Sequence, residues 1–160
     1  MTPSEYQNPI LCADYSDPDI VRVGDDFFMV SSSFNHVPAL PILHSTDLVN
    51  WTIINHVMDE LPLPGYDRYQ PGKGVWAPSI RWHDGKLWVC FSTPDEGIFI
   101  CHTEDPWGEW SAPHCLREAR GWIDPCPFWD DNGQAWLVHA FAHSRSGIKH
   151  KLQLFAMAPD

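Results

Sequence analysis

Three carboxylates, Asp14, Asp17 and Asp19, crowd the start of the run "DYSDPDIVRVGDDFFMVSSSF". Acidic side chains are poor strand formers, so a cluster at a strand entrance either makes a turn or does chemistry. A carboxylate at a solvated mouth can act as a general base, provided a second acid stands across from it. The chain places its next comparable acid at Asp124, in "IDPCPFWDDNGQAWLVHA", again directly before a proline.

The elements that position these acids are repeated. "DPDIVRVGDDFFMVSSS" from Asp17 aligns without a gap on "APSIRWHDGKLWVCFST" from Ala77, and with one inserted turn residue on "DPCPFWDDNGQAWLVHA" from Asp124. Each copy begins X-Pro, runs through a short apolar strand, turns at Gly-Asp, Asp-Gly or Asn-Gly, and returns as an apolar or aromatic strand. Those dipeptides signal hairpins. A second element follows: "ILHSTDLVNW" resembles "IFICHTEDPWGEW", with His44 on His102 and Asp47 on Asp105, and "LQLFAMAPD" reaches the matching point in the third copy. A repeated four-stranded antiparallel unit without helical periodicity predicts an all-β propeller; accidental similarity within a β-sandwich is the alternative. The residue before each proline is expected to be extended. Asp17, Ala77 and Asp124 then occupy equivalent places at the channel mouth, followed two residues on by Asp19, Ser79 and Cys126. Two of three blades aim a carboxylate into one funnel. Trp76 precedes the second of these sites, where its counterparts are Ser16 and Ile123, so an aromatic there is particular to blade two and fits substrate stacking.

Bulk composition narrows the partners. With 10 Lys+Arg against 21 Asp+Glu the net charge is −11, which argues against nucleic acid and anionic membranes as partners. Nine tryptophans fit a surface that stacks on neutral sugars. Five cysteines without a CxxC pair point to free thiols and a reducing compartment. The opening "MTPSEYQNPIL" has neither a basic nor an apolar leader region, so a cytoplasmic location is expected.

Together "NPIL", "SDPDIVRVGDDFFMVSSSF", "LPILHSTDLVNW", "GVWAPSIRWHDG" and "IDPCPFWDDNGQAWLVHA" resemble glycoside hydrolase family 43, from about Asn8 to the last residue. The resemblance implies a five-bladed β-propeller whose first three blades are residues 1–160, with blades four and five and any C-terminal β-sandwich absent. It implies an inverting β-xylosidase or α-L-arabinofuranosidase acting on xylo-oligosaccharide or arabinoxylan-type substrates. Asp17 would be the general base, Asp124 would tune the acid and hold substrate, and Trp76 and Phe34 would line the pentose pocket. The general acid is a Glu in an E-G-P motif at blade four. No such motif occurs here, and neither Glu96 nor Glu118 stands in its place. An isolated three-blade arc is therefore expected to be inactive, with a longer chain or a second chain supplying the rest.

No cofactor is expected. Nor is a metal site: the nine histidines lack zinc-ligand spacing, His44 and His102 read as structural, and His139 and His143 read as surface residues of a strand. Trp82, Trp88, Trp129 and Trp136 read as blade packing. The Pro/Gly-rich stretch Met58 to Gly74 is expected to overhang the mouth and shape the pocket. A fructan-cleaving propeller is disfavoured by "IDP" and "SDPD" where that group carries R-D-P and N-D-P-N. A carbohydrate-binding propeller without chemistry is the rival outside enzymes.

Overall fold

In the computed structural model, residues 5–158 are described, and the few terminal residues of the expected 1–160 segment lie outside them. The chain forms three successive antiparallel meanders. The first is β1 (Asp19–Val23), β2 (Asp26–Val30), β3 (Ala39–Ser45) and β4 (Thr52–Met58). The second is β5 (Trp76–His83), β6 (Lys86–Thr93), β7 (Gly97–Thr103) and β8 (His114–Glu118). The third holds three strands among the described residues: β9 (Trp122–Trp129), β10 (Ala135–Phe141) and β11 (Gln153–Met157). One short helix, α1 (His143–Ser146), interrupts the third meander, where the sequence showed no helical period. Each sheet hands over from its outermost strand to the innermost strand of the next, and β5 packs against both β1 and β9. This is the all-β arrangement of consecutive propeller blades.

The hairpins follow their turn residues. Asp84 and Gly85 both take positive φ (47° and 75°) between β5 and β6, the two-residue turn whose twist matches its strands. Burial explains why the second strands are apolar throughout. On β6, Leu87, Val89 and Phe91 pack into a core shared with the first sheet, while Cys90 joins a second core with Leu137 of the third. A strand buried on both faces has no polar face to alternate with. Each fully buried side chain of this size contributes about 1.5–3 kcal/mol.

The outer sheets each keep one apolar face open. Val21 and Val23 pack inward, so Ile20, which precedes Val21 on the alternate face, points away from the middle sheet and is 43% exposed; Leu154 on β11 is 54% exposed. Trp82, expected as blade packing, is 43% exposed on the innermost strand β5.

Candidate active site

The three X-Pro corners open one end of the three inner strands. Prolines 78 and 125 cannot donate to a ladder, and the pairing slips there: the register shifts between Trp76 and Ser79 on β5 and between Val138 and Ala140 opposite β9. The backbone at the two aspartates is not extended, contrary to the expectation from the following proline. Asp17 has φ of 50° and Asp124 of 54°, in the left-handed region that Asp tolerates better than most side chains. Ala77, at the equivalent corner of the second sheet, does not share this conformation. Such strain costs on the order of 1–3 kcal/mol per residue and collects at functional sites.

What faces each carboxylate differs. Ser32 Oγ donates a 2.9 Å hydrogen bond to Asp17 Oδ2. Ala140 holds the matching place opposite β9 and has no hydroxyl to give. Burial among neighbouring atoms, and secondly the negative charge of Asp17, push the Asp124 carboxyl above its ordinary value. The residue nonetheless keeps an exposed side at the open mouth. The two acids thus share one site electrostatically.

Asp19, two residues beyond Asp17, does something else. Its Oδ2 accepts from Ile80 N (2.9 Å) and pairs with Arg81 Nη1 (2.5 Å). Arg81 Nη2 reaches Cys126 Sγ at 2.8 Å, and Ser79 Oγ donates to Pro125 O at 2.7 Å. All three residues standing two places after the corners therefore lash neighbouring sheets together. The opening cluster divides: Asp19 is held between the first two sheets, whereas Asp17 is exposed and accepts one hydrogen bond from Ser32.

Phe34 and Trp76 are brought together by a stitch between the first two sheets. Ser33 and Val75 exchange two backbone hydrogen bonds of 2.9 Å, and Gly74 N donates to Phe34 O at 2.8 Å. Only glycine fits at 74, where a Cβ would lie 2.2 Å from Ser33 O. The rings meet at 74°, centroids 6.0 Å apart, and Trp76 Nε1 donates to Gly72 O at 3.0 Å. Because Ser32 and Ser33 are adjacent, the group holding Asp17 and the group holding the aromatic pair are one segment of chain. The loop after β4 encloses a cleft of about 300 Å³ beside Phe34, lined also by His36, Tyr66, Tyr69 and Gln70. This cleft lies outside the two aspartates.

Other expectations need correction. His139 is fully buried rather than on the surface, stacked on Trp122 at 4.0 Å, and its Nδ1 meets Ala140 O at 2.8 Å. Burial depresses its basicity. Alternation marked it as a strand residue correctly, but this strand's inward face lies against the middle sheet. Glu96 is occupied by Tyr66 OH, which donates to its Oε2 at 3.0 Å. Sequence reasoning missed Ser32, although its repeat position opposite Asp17 would have pointed to it. It also missed Arg145, whose guanidinium carbon lies 5.4 Å from the Trp76 ring centre. Arg145 belongs to the insertion after β10 and has no counterpart in the other copies.

Residues 6–160 match the profile of Glycosyl hydrolases family 43. The chain belongs to this family. Among curated relatives, the xylosidase/arabinosidase of Butyrivibrio fibrisolvens is 42% identical over 137 residues, 82% of this chain and 26% of its own length. The chain spans about a quarter of the length of the first curated relatives it matches. Among solved structures, Xyloglucan PUL GH43B of Bacteroides ovatus superposes with a TM-score of 0.82 at 32% identity, covering 96% of this chain and 30% of its own. The xylan beta-1,4-xylosidase of Bacillus halodurans gives 0.80 at 30% identity, with 96% and 31% covered. The family 43 assignment agrees with the order of the three meanders and with the motifs that open them.

Proposed function

We propose that this family 43 chain supplies the first three blades of a five-bladed propeller that hydrolyses terminal xylose or arabinofuranose residues with inversion. The observation that carries the reading is the pair of aspartates in matching left-handed corners, close enough for the charge of Asp17 to raise Asp124. Asp17, oriented by Ser32, activates water on one face of the sugar. Asp124 holds substrate and, as a nearby negative charge, keeps the general acid protonated. That acid is a Glu contributed from beyond these three sheets, by the same polypeptide or by a second chain covering the open faces at Ile20 and Leu154. Inversion requires the base and acid carboxyls about 6.5–9.5 Å apart, with water between them and one sugar face. Trp76 and Phe34 form the apolar wall of the pocket, and the substrate is a xylo-oligosaccharide or arabinoxylan-type fragment.

The test is proton NMR of aryl xyloside and aryl arabinofuranoside hydrolysis by the complete propeller. Inverted sugar should appear first, and Asp17→Ala should abolish it. Release of sugar with retained configuration, or full turnover by Asp17→Ala, refutes the assignment. Pentose binding without turnover would favour the non-catalytic carbohydrate-binding alternative.

A further inference from the structure

The top of the site carries a charged network that the hydrolytic scheme does not use. Asp95, in the turn between β6 and β7, faces three cations: Arg120 Nε at 3.2 Å, Arg145 Nε at 3.4 Å and Lys73 Nζ at 3.7 Å. These come from the turn before β9, from α1 and from the loop after β4, so one carboxylate ties together segments of all three meanders. The partners are not equivalent. Arg120 is two-thirds exposed, whereas the Arg145 side chain is only 23% exposed and Asp95 19%.

The backbone under Arg145 is fixed. Ala142 N donates to Gly121 O at 2.8 Å, and Gly121 N donates to Pro94 O at 2.8 Å. Gly121 has φ of 81°, and a Cβ there would come within 3.0 Å of the Arg145 and Ser146 Cβ atoms, so α1 sits directly on this turn. Tyr66 closes the other side, its single hydroxyl proton shared between Lys73 O at 2.9 Å and Glu96 Oε2 at 3.0 Å. Arg145 thus leaves a rigid base, is gripped by Asp95, and lays its guanidinium over the Trp76 ring. A planar cation anchored on an indole holds the ring in place and withdraws one face from solvent and ligand.

We propose that Arg145 is a positioning residue: clamped by Asp95, it fixes the Trp76 ring as the wall against which the sugar stacks and so sets affinity for the terminal pentose. This deepens the pentose-pocket reading and rests on it. It assigns to the insertion after β10 a task for which the other two blades carry no counterpart.

The experiment uses the complete protein labelled with 5-fluorotryptophan, its Trp76 resonance assigned by Trp76→Phe, together with steady-state kinetics on an aryl pentoside. Arg145→Met and Asp95→Asn should each move the Trp76 resonance. Each should raise KM about five- to tenfold while kcat stays within about twofold, as expected for a cation–π contact acting on ground-state and transition-state binding alike. Arg145→Lys should recover part of the loss, and the double variant should be no worse than Arg145→Met alone. The proposal is overturned if the resonance stays in place in both single variants. It is equally overturned if KM is unchanged while thermal stability falls, which is the mark of a merely structural pair. Should the unmutated protein turn over no pentoside, the pentose reading fails, and the fluorine resonance alone then decides whether Arg145 orients Trp76.

Discussion

Asp17 and Asp19 stand two residues apart, and substituting them should give opposite phenotypes. In Asp19→Ala, Ile80 N, on a residue with no exposed surface, loses its acceptor, and Arg81 loses its carboxylate. A hydrogen bond to a charged group is worth about 1.5–3 kcal/mol. The remaining contacts of Arg81 to Ile80 O and Cys126 leave that cation partly satisfied, so the second loss adds little beyond the first. The expected cost is about 3 kcal/mol, equivalent to roughly 6–12 °C in Tm for a domain of this size. Asp19→Asn keeps an acceptor oxygen for Ile80 N and loses only the charge, so about 1–1.5 kcal/mol is expected. Asp17→Ala removes one hydrogen bond at an exposed position and puts an alanine at a φ of 50° that Asp tolerates better, offset by relief of the repulsion felt by Asp124, so a loss of about 1 kcal/mol is expected, well below that of Asp19→Ala. Its turnover should fall by at least ~10²-fold, as for a lost general base. Urea unfolding followed by tryptophan fluorescence, with kcat/KM from the same preparations, reads both effects. Equal destabilisation by the two alanine variants, or unchanged stability in Asp19→Ala, would refute the division of labour.

Three further outcomes follow from the geometry. Gly74→Ala forces a Cβ against the Ser33 carbonyl, so its urea midpoint should drop by the equivalent of about 2 kcal/mol or more, with loss of the Phe34–Trp76 contact. Ser32→Ala should lower kcat about tenfold or more with little change in KM, because the hydroxyl orients the base rather than the sugar. Asp124→Asn should abolish turnover yet raise stability at neutral pH. Burial and the Asp17 charge raise the folded-state pKa of Asp124, so the native protein loses stability as pH climbs from the unfolded carboxylate value of about 3.9 through the raised one. Denaturant titrations across pH should show the advantage of the Asn variant vanishing below that window; an advantage that grows on acidification contradicts the sign.

Much of this was readable from residues alone, for definite reasons. Hairpins were legible because Asp84-Gly85 and its counterparts are turn dipeptides between period-2 strands. The Asp17 and Asp124 corners were legible because repeats bring equivalent positions to one end of the sheets. Backbone sign was not legible: a following proline restricts its predecessor, yet both aspartates sit at positive φ, which closure of the corner decides. Alternation likewise could not say which faces are covered. It placed His139 in a strand but not against Trp122, and it could not foresee that Trp82 is left exposed on the innermost strand. Arg145 lay beyond reach because its partners, Trp76 at the start of β5 and Asp95 in the turn between β6 and β7, are distant in sequence with no shared spacing.

The repeat also shows how one scaffold gives two like residues unlike surroundings. Along the three corners the chain reads Asp17, Ala77, Asp124, and along the facing second strands Ser32, Ser92, Ala140. Where acid meets hydroxyl, Asp17 Oδ2 accepts a 2.9 Å hydrogen bond from Ser32 Oγ. Where the acid is gone, Ser92 remains with a buried hydroxyl that finds no partner among the described residues. In the third blade the hydroxyl is gone, and burial and the charge of Asp17 push the Asp124 carboxyl above its ordinary value. The second strands thus give the two carboxylates different hydrogen-bond partners while their backbone corners are alike. What distinguishes their surroundings lies one strand away from the acids themselves.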